Sequence, residues 1–97
     1  MNIFTTDQER FLYNYCPADT MITSSEEAKR IEEALSLNEV EDIQTLRNNV
    51  VMFYHDKIEA ELEGREGWTE TAYNFSQAMM SVTAVIDNIK YKRGLEI

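Results

Sequence analysis

Residues 71–86 run through sixteen positions without a charged side chain, a Gly or a Pro. Elsewhere charge is dense: 28% of the 97 residues are charged, and the net charge is -9. A helix on a protein surface carries charge where it meets water, so an uncharged helix must be covered on more than one side, by its own fold or by another subunit. Trp68, Ala72, Phe75, Met79, Val82, Ile86 and Ile89 recur through this region at alternating intervals of four and three, the spacing of a heptad seam. Trp68 heads the seam and is expected to anchor the closed end of a helical hairpin.

Three Gly and one Pro in the whole chain leave few breakpoints, and β-branched alternation never persists, so the fold class expected is all-α. Thr6 with Glu9 forms the pattern of a capping box for a first helix that ends before Pro17. Ser24 with Glu27 opens a second, which ends near Ser36. Ser36 with Glu39, or Asn38 with Glu41, restarts a helix that runs toward Glu63, with Gly64 suited to a left-handed cap. A last helix runs from about Trp68 to Lys92 and stops at Gly94. The expected architecture is one all-helical domain over residues 1–97: a long antiparallel αα-hairpin (about 39–63 and 68–92) with two shorter N-terminal helices, the bundle completed by oligomerisation. A chain of 97 residues lies near the lower limit for a lone core without disulfides or metals, which is the physical reason to expect association.

At 100° per residue, Asn74, Gln77 and Ser81 lie nearly opposite the seam, with Val85 at the edge of that face and Tyr73 and Met80 on its other flank. The face is polar but neutral. Small and amide side chains allow close helix approach without the desolvation cost of charge. Asn74, Gln77, Ser81 and Val85 are therefore the expected interface of a homo-oligomer, most simply a dimer.

Little in the chain carries chemistry. His55 is the only histidine and Cys16 the only cysteine. No nucleophile turn surrounds either, and Cys16 reads as a small buried hydrophobe. His55 with Glu59 makes at most half a metal site. Glu39 with Asp42, and Asp56 with Glu59, have helical spacing, but the facing helix offers only Glu70 and Asp87 at its two ends. That is too few for the carboxylate cluster that holds magnesium in helical phosphohydrolases. Residues 64–67 read as a hairpin turn rather than a phosphate loop. No enzymatic activity, metal or cofactor is expected. Arg10, Tyr13, Tyr15, Tyr73 and Arg93 remain as groups able to stack on or pair with a small anion at a subunit junction.

Eighteen acids against nine bases repel nucleic-acid phosphates and anionic membranes, so neither is an expected direct partner. The start of the chain lacks the basic, apolar pattern of a signal peptide and no run is long and apolar enough to span a membrane, so a cytoplasmic location is expected. Acids concentrate in residues 19–66, where 13 stand against 5 bases. On the outer face of the third helix Met52 is an apolar point among Asp56, Glu59 and Glu63, with Glu41 ahead of it. Glu41, Met52, Asp56, Glu59 and Glu63 form the expected partner-binding face. The function expected is a small acidic interaction module that inhibits or regulates a larger, basic-surfaced, nucleic-acid-handling protein. Nucleic-acid mimicry of the kind used by phage anti-defence, anti-CRISPR-like inhibitors is the analogy. The alternative is an oligomeric binder, or sponge, of a nucleotide-like ligand.

Overall fold

The computed structural model describes residues 3–17, 24–64 and 66–94. Among them are four α-helices, α1 (Thr6–Asn14), α2 (Ser25–Ala34), α3 (Ile43–Leu62) and α4 (Glu70–Lys92), with a 3-10 turn at Leu37–Glu39, and no strand. The chain is all-helical, and none of these helices is long and apolar enough to cross a membrane.

Each α-helix opens on a side-chain cap. Thr5, not Thr6, caps α1: its Oγ1 accepts from Gln8 N at 3.1 Å, and Gln8 Oε1 accepts from Thr5 N at 3.0 Å. The box closes one residue early because Gln serves its third position as well as Glu does. Ser24 caps α2 through Glu27 N at 3.2 Å, as the spacing predicts. The third helix begins at Ile43, later than the expected restart near residue 39. Ser36 is left-handed (φ 52°), the 3-10 turn follows, and Asp42 then takes the cap, accepting from Thr45 Oγ1 at 2.6 Å and Thr45 N at 3.0 Å. These bonds, the hydroxyl's above all, hold the Asp42 carboxyl below the ordinary carboxylate range. A carboxylate with two donors, facing the positive end of the helix, outcompetes Ser36 and Asn38 as the start.

The helices α3 and α4 share the most extensive contact of the fold. Thr69 bonds Glu61 at 3.1 Å, the Tyr54 and Phe75 rings lie 6.4 Å apart, and Arg47 meets Asp87 at 2.7 and 3.3 Å. Lys90 Nζ donates to Gln44 Oε1 beyond that. These pairs progress in opposite sequence directions, so the two helices run antiparallel. Ile43, Leu46, Val50 and Tyr54 of α3 interlock with Val82, Val85, Ile86 and Ile89 of α4, and Leu12, Ile31, Leu35 and Leu37 seal the cluster. Arg93, just past α4, ties down the segment before α3: Nη1 donates to Val40 O at 2.7 Å and Nη2 to Leu37 O at 2.8 Å. Tyr54 ties down α1, its buried hydroxyl donating to Leu12 O at 2.7 Å. That carbonyl belongs to the last turn of α1, where no backbone N–H remains to satisfy it.

Two expectations for α4 require correction. Trp68 is 61% exposed and anchors nothing. The helix begins only at Glu70, with Thr69 as its cap through Ala72 N at 3.1 Å, so Trp68 stands before the helix and off the seam. Ser81 and Val85, expected between subunits, are each 4% exposed within the single chain. Lys90 and Asp87 reach α3, whereas Ser81 lies on the other side of α4 from Lys90 and is buried there within the same chain; α2 is the next helix in extent of contact with α4. The small Ala78 and Ser81 allow close approach there.

Tyr54→Phe is expected to cost about 1–2 kcal/mol in urea unfolding, because Leu12 O loses its donor while staying buried. Burial pushes the Tyr54 phenol far above its ordinary range; burial, then the Glu27 carboxylate, pushes Tyr15 up to about 12. Both folded-state values exceed the unfolded one of about 10, so the folded chain retains protons that the unfolded chain loses. Stability should be intact below about pH 10 and fall between about pH 10 and 12. A urea midpoint that stays level across that window contradicts this.

Candidate functional site

The outer face of α3 carries the expected partner-binding residues in a row. Met52, Asp56, Glu59 and Glu63 follow one another at four, three and four residues, the repeat that keeps side chains on one side of a helix, and all are exposed, Met52 by 62%. The inward face of α3 is spent on Ile43, Leu46, Val50, Tyr54 and Ile58, so this row turns to solvent. Glu41 is exposed as well but lies ahead of the helix, beyond the Asp42 cap, apart from the other four.

The start of α1 crosses beside Met52 and makes a cleft of about 290 Å³ lined by Phe4, Glu9, Asn49, Met52, Phe53, Asp56 and Lys57. Its floor is aromatic: Phe4 is buried and meets Phe53 edge to face at 6.4 Å. Lys57, the cleft's base, holds its ammonium 5.2 Å from the Phe53 ring centre and 5.7 Å from that of Tyr13. That cation is thereby directed onto rings rather than out over the carboxylates. A second depression of about 500 Å³ continues along Asp56, Glu59, Ala60, Leu62 and Glu63. Together they form an acidic band with apolar floors. Such a surface suits lysine or arginine side chains, whose alkyl stems lie on Met52 and Phe53 while their heads reach carboxylates.

Sequence reasoning missed Glu9, whose spacing pointed only to a helix cap. Its place beside Met52 comes from how α1 crosses α3, and no local pattern encodes that.

No known protein family, curated protein or solved structure matches this chain. The assignment of the band therefore rests on its own chemistry.

The remaining candidates disperse. Of the four expected interface residues, Asn74 is exposed, Gln77 half-buried, and Ser81 and Val85 buried. Asp87 is committed to Arg47 across the α3–α4 contact. Cys16, expected to be buried, is exposed, two residues past the end of α1 at Asn14. Among the described residues no three of His, Cys, Asp and Glu converge as a metal site would require. Of the groups read as able to bind a small anion, Arg10 and Tyr15 come together with Arg30 in a cleft of about 280 Å³, where Tyr15 stacks on Phe11 at 5.7 Å. Tyr13 instead packs on Phe75 at 5.5 Å, and Arg93 is held by backbone carbonyls.

Ser81→Arg separates intrachain burial from subunit burial. A guanidinium forced into this buried position should lower the stability of the folded chain by about 2–4 kcal/mol, independently of protein concentration. An unchanged melting temperature with loss of assembly would instead place Ser81 between subunits.

Proposed function

We propose that this protein is a non-enzymatic binding module that docks a basic-surfaced protein on the acidic band of α3 and so inhibits or regulates it. The observation that carries the reading is Met52: a largely exposed apolar side chain over an aromatic floor, bordered by Glu9 and Asp56, with Glu59 further along the same face of α3. A desolvated apolar centre inside a charged rim is the layout in which a few contacts supply most binding energy while the rim speeds and orients association. Carboxylates three or four residues apart on a helix stand about 5–6 Å from one another and can occupy a channel that otherwise holds phosphates. A nucleic-acid-handling protein is therefore the proposed class of partner.

The test is capture at low salt followed by competition. Proteins retained by the immobilised chain should elute as salt rises to about 0.5 M and should be displaced by duplex DNA. Asp56→Lys combined with Glu59→Lys should weaken capture by about tenfold or more, and Met52→Ala by about three- to tenfold, without changing the helical signal. Retention that ignores both the charge reversal and salt would sink the proposal.

The cleft of Arg10, Arg30 and Tyr15 supports a second reading, a sponge for a nucleotide-like anion, since two guanidinium groups and a ring border one small cavity, although Arg10 is paired there with Asp7 at 3.3 Å and Arg30 is the guanidinium such an anion would meet first. Here a nucleoside phosphate should raise the melting temperature of the wild type and leave Arg30→Ala unmoved.

A further inference from the structure

We infer that a second copy of this chain docks antiparallel on the solvent face of α4, along Tyr73, Met80, Ala84 and Tyr91. The face is not the one the seam implies. With Val82 and Ile86 turned to the core, the direction pointing away from it carries Tyr73, Gln77, Met80, Ala84, Asp87 and Tyr91, again at alternating intervals of four and three. Tyr73, Met80 and Tyr91 are 56%, 54% and 74% exposed. Three large apolar side chains thus form one stripe about 27 Å long, free of charge from its start to Asp87.

Electrostatics and register identify the occupant. A chain of net charge -9 is repelled by its own kind over most of its surface. This stripe is where two copies approach without facing like charges, since its single carboxylate, Asp87, is paired with Arg47. The stripe is also complementary to itself. A two-fold axis level with Val82 sets Tyr73 opposite the partner's Tyr91, Met80 opposite the partner's Ala84, and Gln77, an amide donor, opposite the partner's Asp87. Large meets small in the middle, and aromatic meets aromatic at both ends. Glu70 and Lys92, both exposed and about 40° apart around the helix, share one flank, so each Glu70 falls near the partner's Lys92. In the reverse, parallel arrangement the two-fold carries this flank to the far side of the partner, so neither Glu70 nor Lys92 meets an opposite charge at its own level.

A standard interface covers about a tenth of a small protein's surface, roughly 650 Å² of the 6569 Å² here. One helical stripe supplies about half of that, which places the dimer among weak, concentration-dependent associations.

Sedimentation equilibrium of the whole chain from about 1 to 100 μM tests it. The expected mass rises from one chain to two across that range. Met80→Asp should weaken association by about tenfold or more with unaltered helicity, since Met80 is exposed in the single chain. Lys92→Glu should weaken it several-fold. Adding Glu70→Lys should restore it, whereas Glu41→Lys, which corrects the net charge away from the stripe, should not. A monomer throughout the range overturns the inference, as does a dimer indifferent to Met80→Asp. Equal rescue by the two lysine substitutions overturns the antiparallel register.

Discussion

One helix has to be covered on two sides at once, and the rest of the molecule is arranged to do it. Along α4, Val82, Ile86 and Ile89 are buried in the core and Ser81 is buried further round the helix, and both α3 and α2 pack on α4. A single charged side chain in either arc would have to be dehydrated without a partner, at a cost of several kcal/mol against a total stability of about 5–15 kcal/mol. The absence of charge at Ala72, Ala78, Ser81, Val82, Val85 and Ile86 is therefore a condition of the fold, whereas at the exposed Tyr73, Met80 and Ala84 it is not. Charge returns where α4 can pair it. Asp87 takes Arg47, and Lys90 lays its stem in the contact and reaches Gln44. These bonds fix the relative height of α3 and α4, which apolar packing alone specifies poorly.

The same constraint distributes the acids. With α4 closed to charge, the negative surface falls largely on α2, the turn before α3 and the outer row of α3. Of these, α3 alone combines carboxylates with an exposed apolar side chain and an aromatic floor. Lys57 contributes by what it does not do: its ammonium is engaged over Phe53 and Tyr13, and among the described residues no ion pair joins it to Asp56 beside it in that cleft. Electrostatics thus yields two surfaces of different character, an acidic band on α3 and a neutral stripe on α4.

Local signals were legible where the chemistry is local. The Ser24 cap, the exposure of Met52, Asp56, Glu59 and Glu63, and the all-helical class follow from periodicity and capping patterns, each decided within a few residues. The start of α3 was misplaced because three side chains compete for the cap, and the winner is set by Thr45 and by the hold of Arg93 on Leu37 and Val40, a contact across 53 residues or more. The solvent face of α4 lay roughly 70° from where the seam put it. Large residues draw the seam, yet Trp68 precedes the helix, and Ser81, small enough for a close neighbour as expected, meets that neighbour within its own chain. What covers it is settled by how the rest of the chain docks, which no pattern within α4 records.

Salt distinguishes the two surfaces in kind. On the acidic band the proposed docking rests on attraction between opposite charges, so added salt would weaken it. On the neutral stripe the long-range term is repulsion between two chains of charge -9, so added salt screens an opposing force and strengthens association. The Glu70–Lys92 pairs run against this trend but are exposed and worth little individually. The stripe also lies on a different helix from the band, and a pair of chains joined through α4 presents two acidic bands at once. For a partner with two basic sites the second contact becomes intramolecular, and avidity exceeds what one band provides. Weak self-association would then be no defect of a small domain. At low concentration the chain would bind as a single band, and at high concentration as a bivalent one, with salt shifting the balance between them.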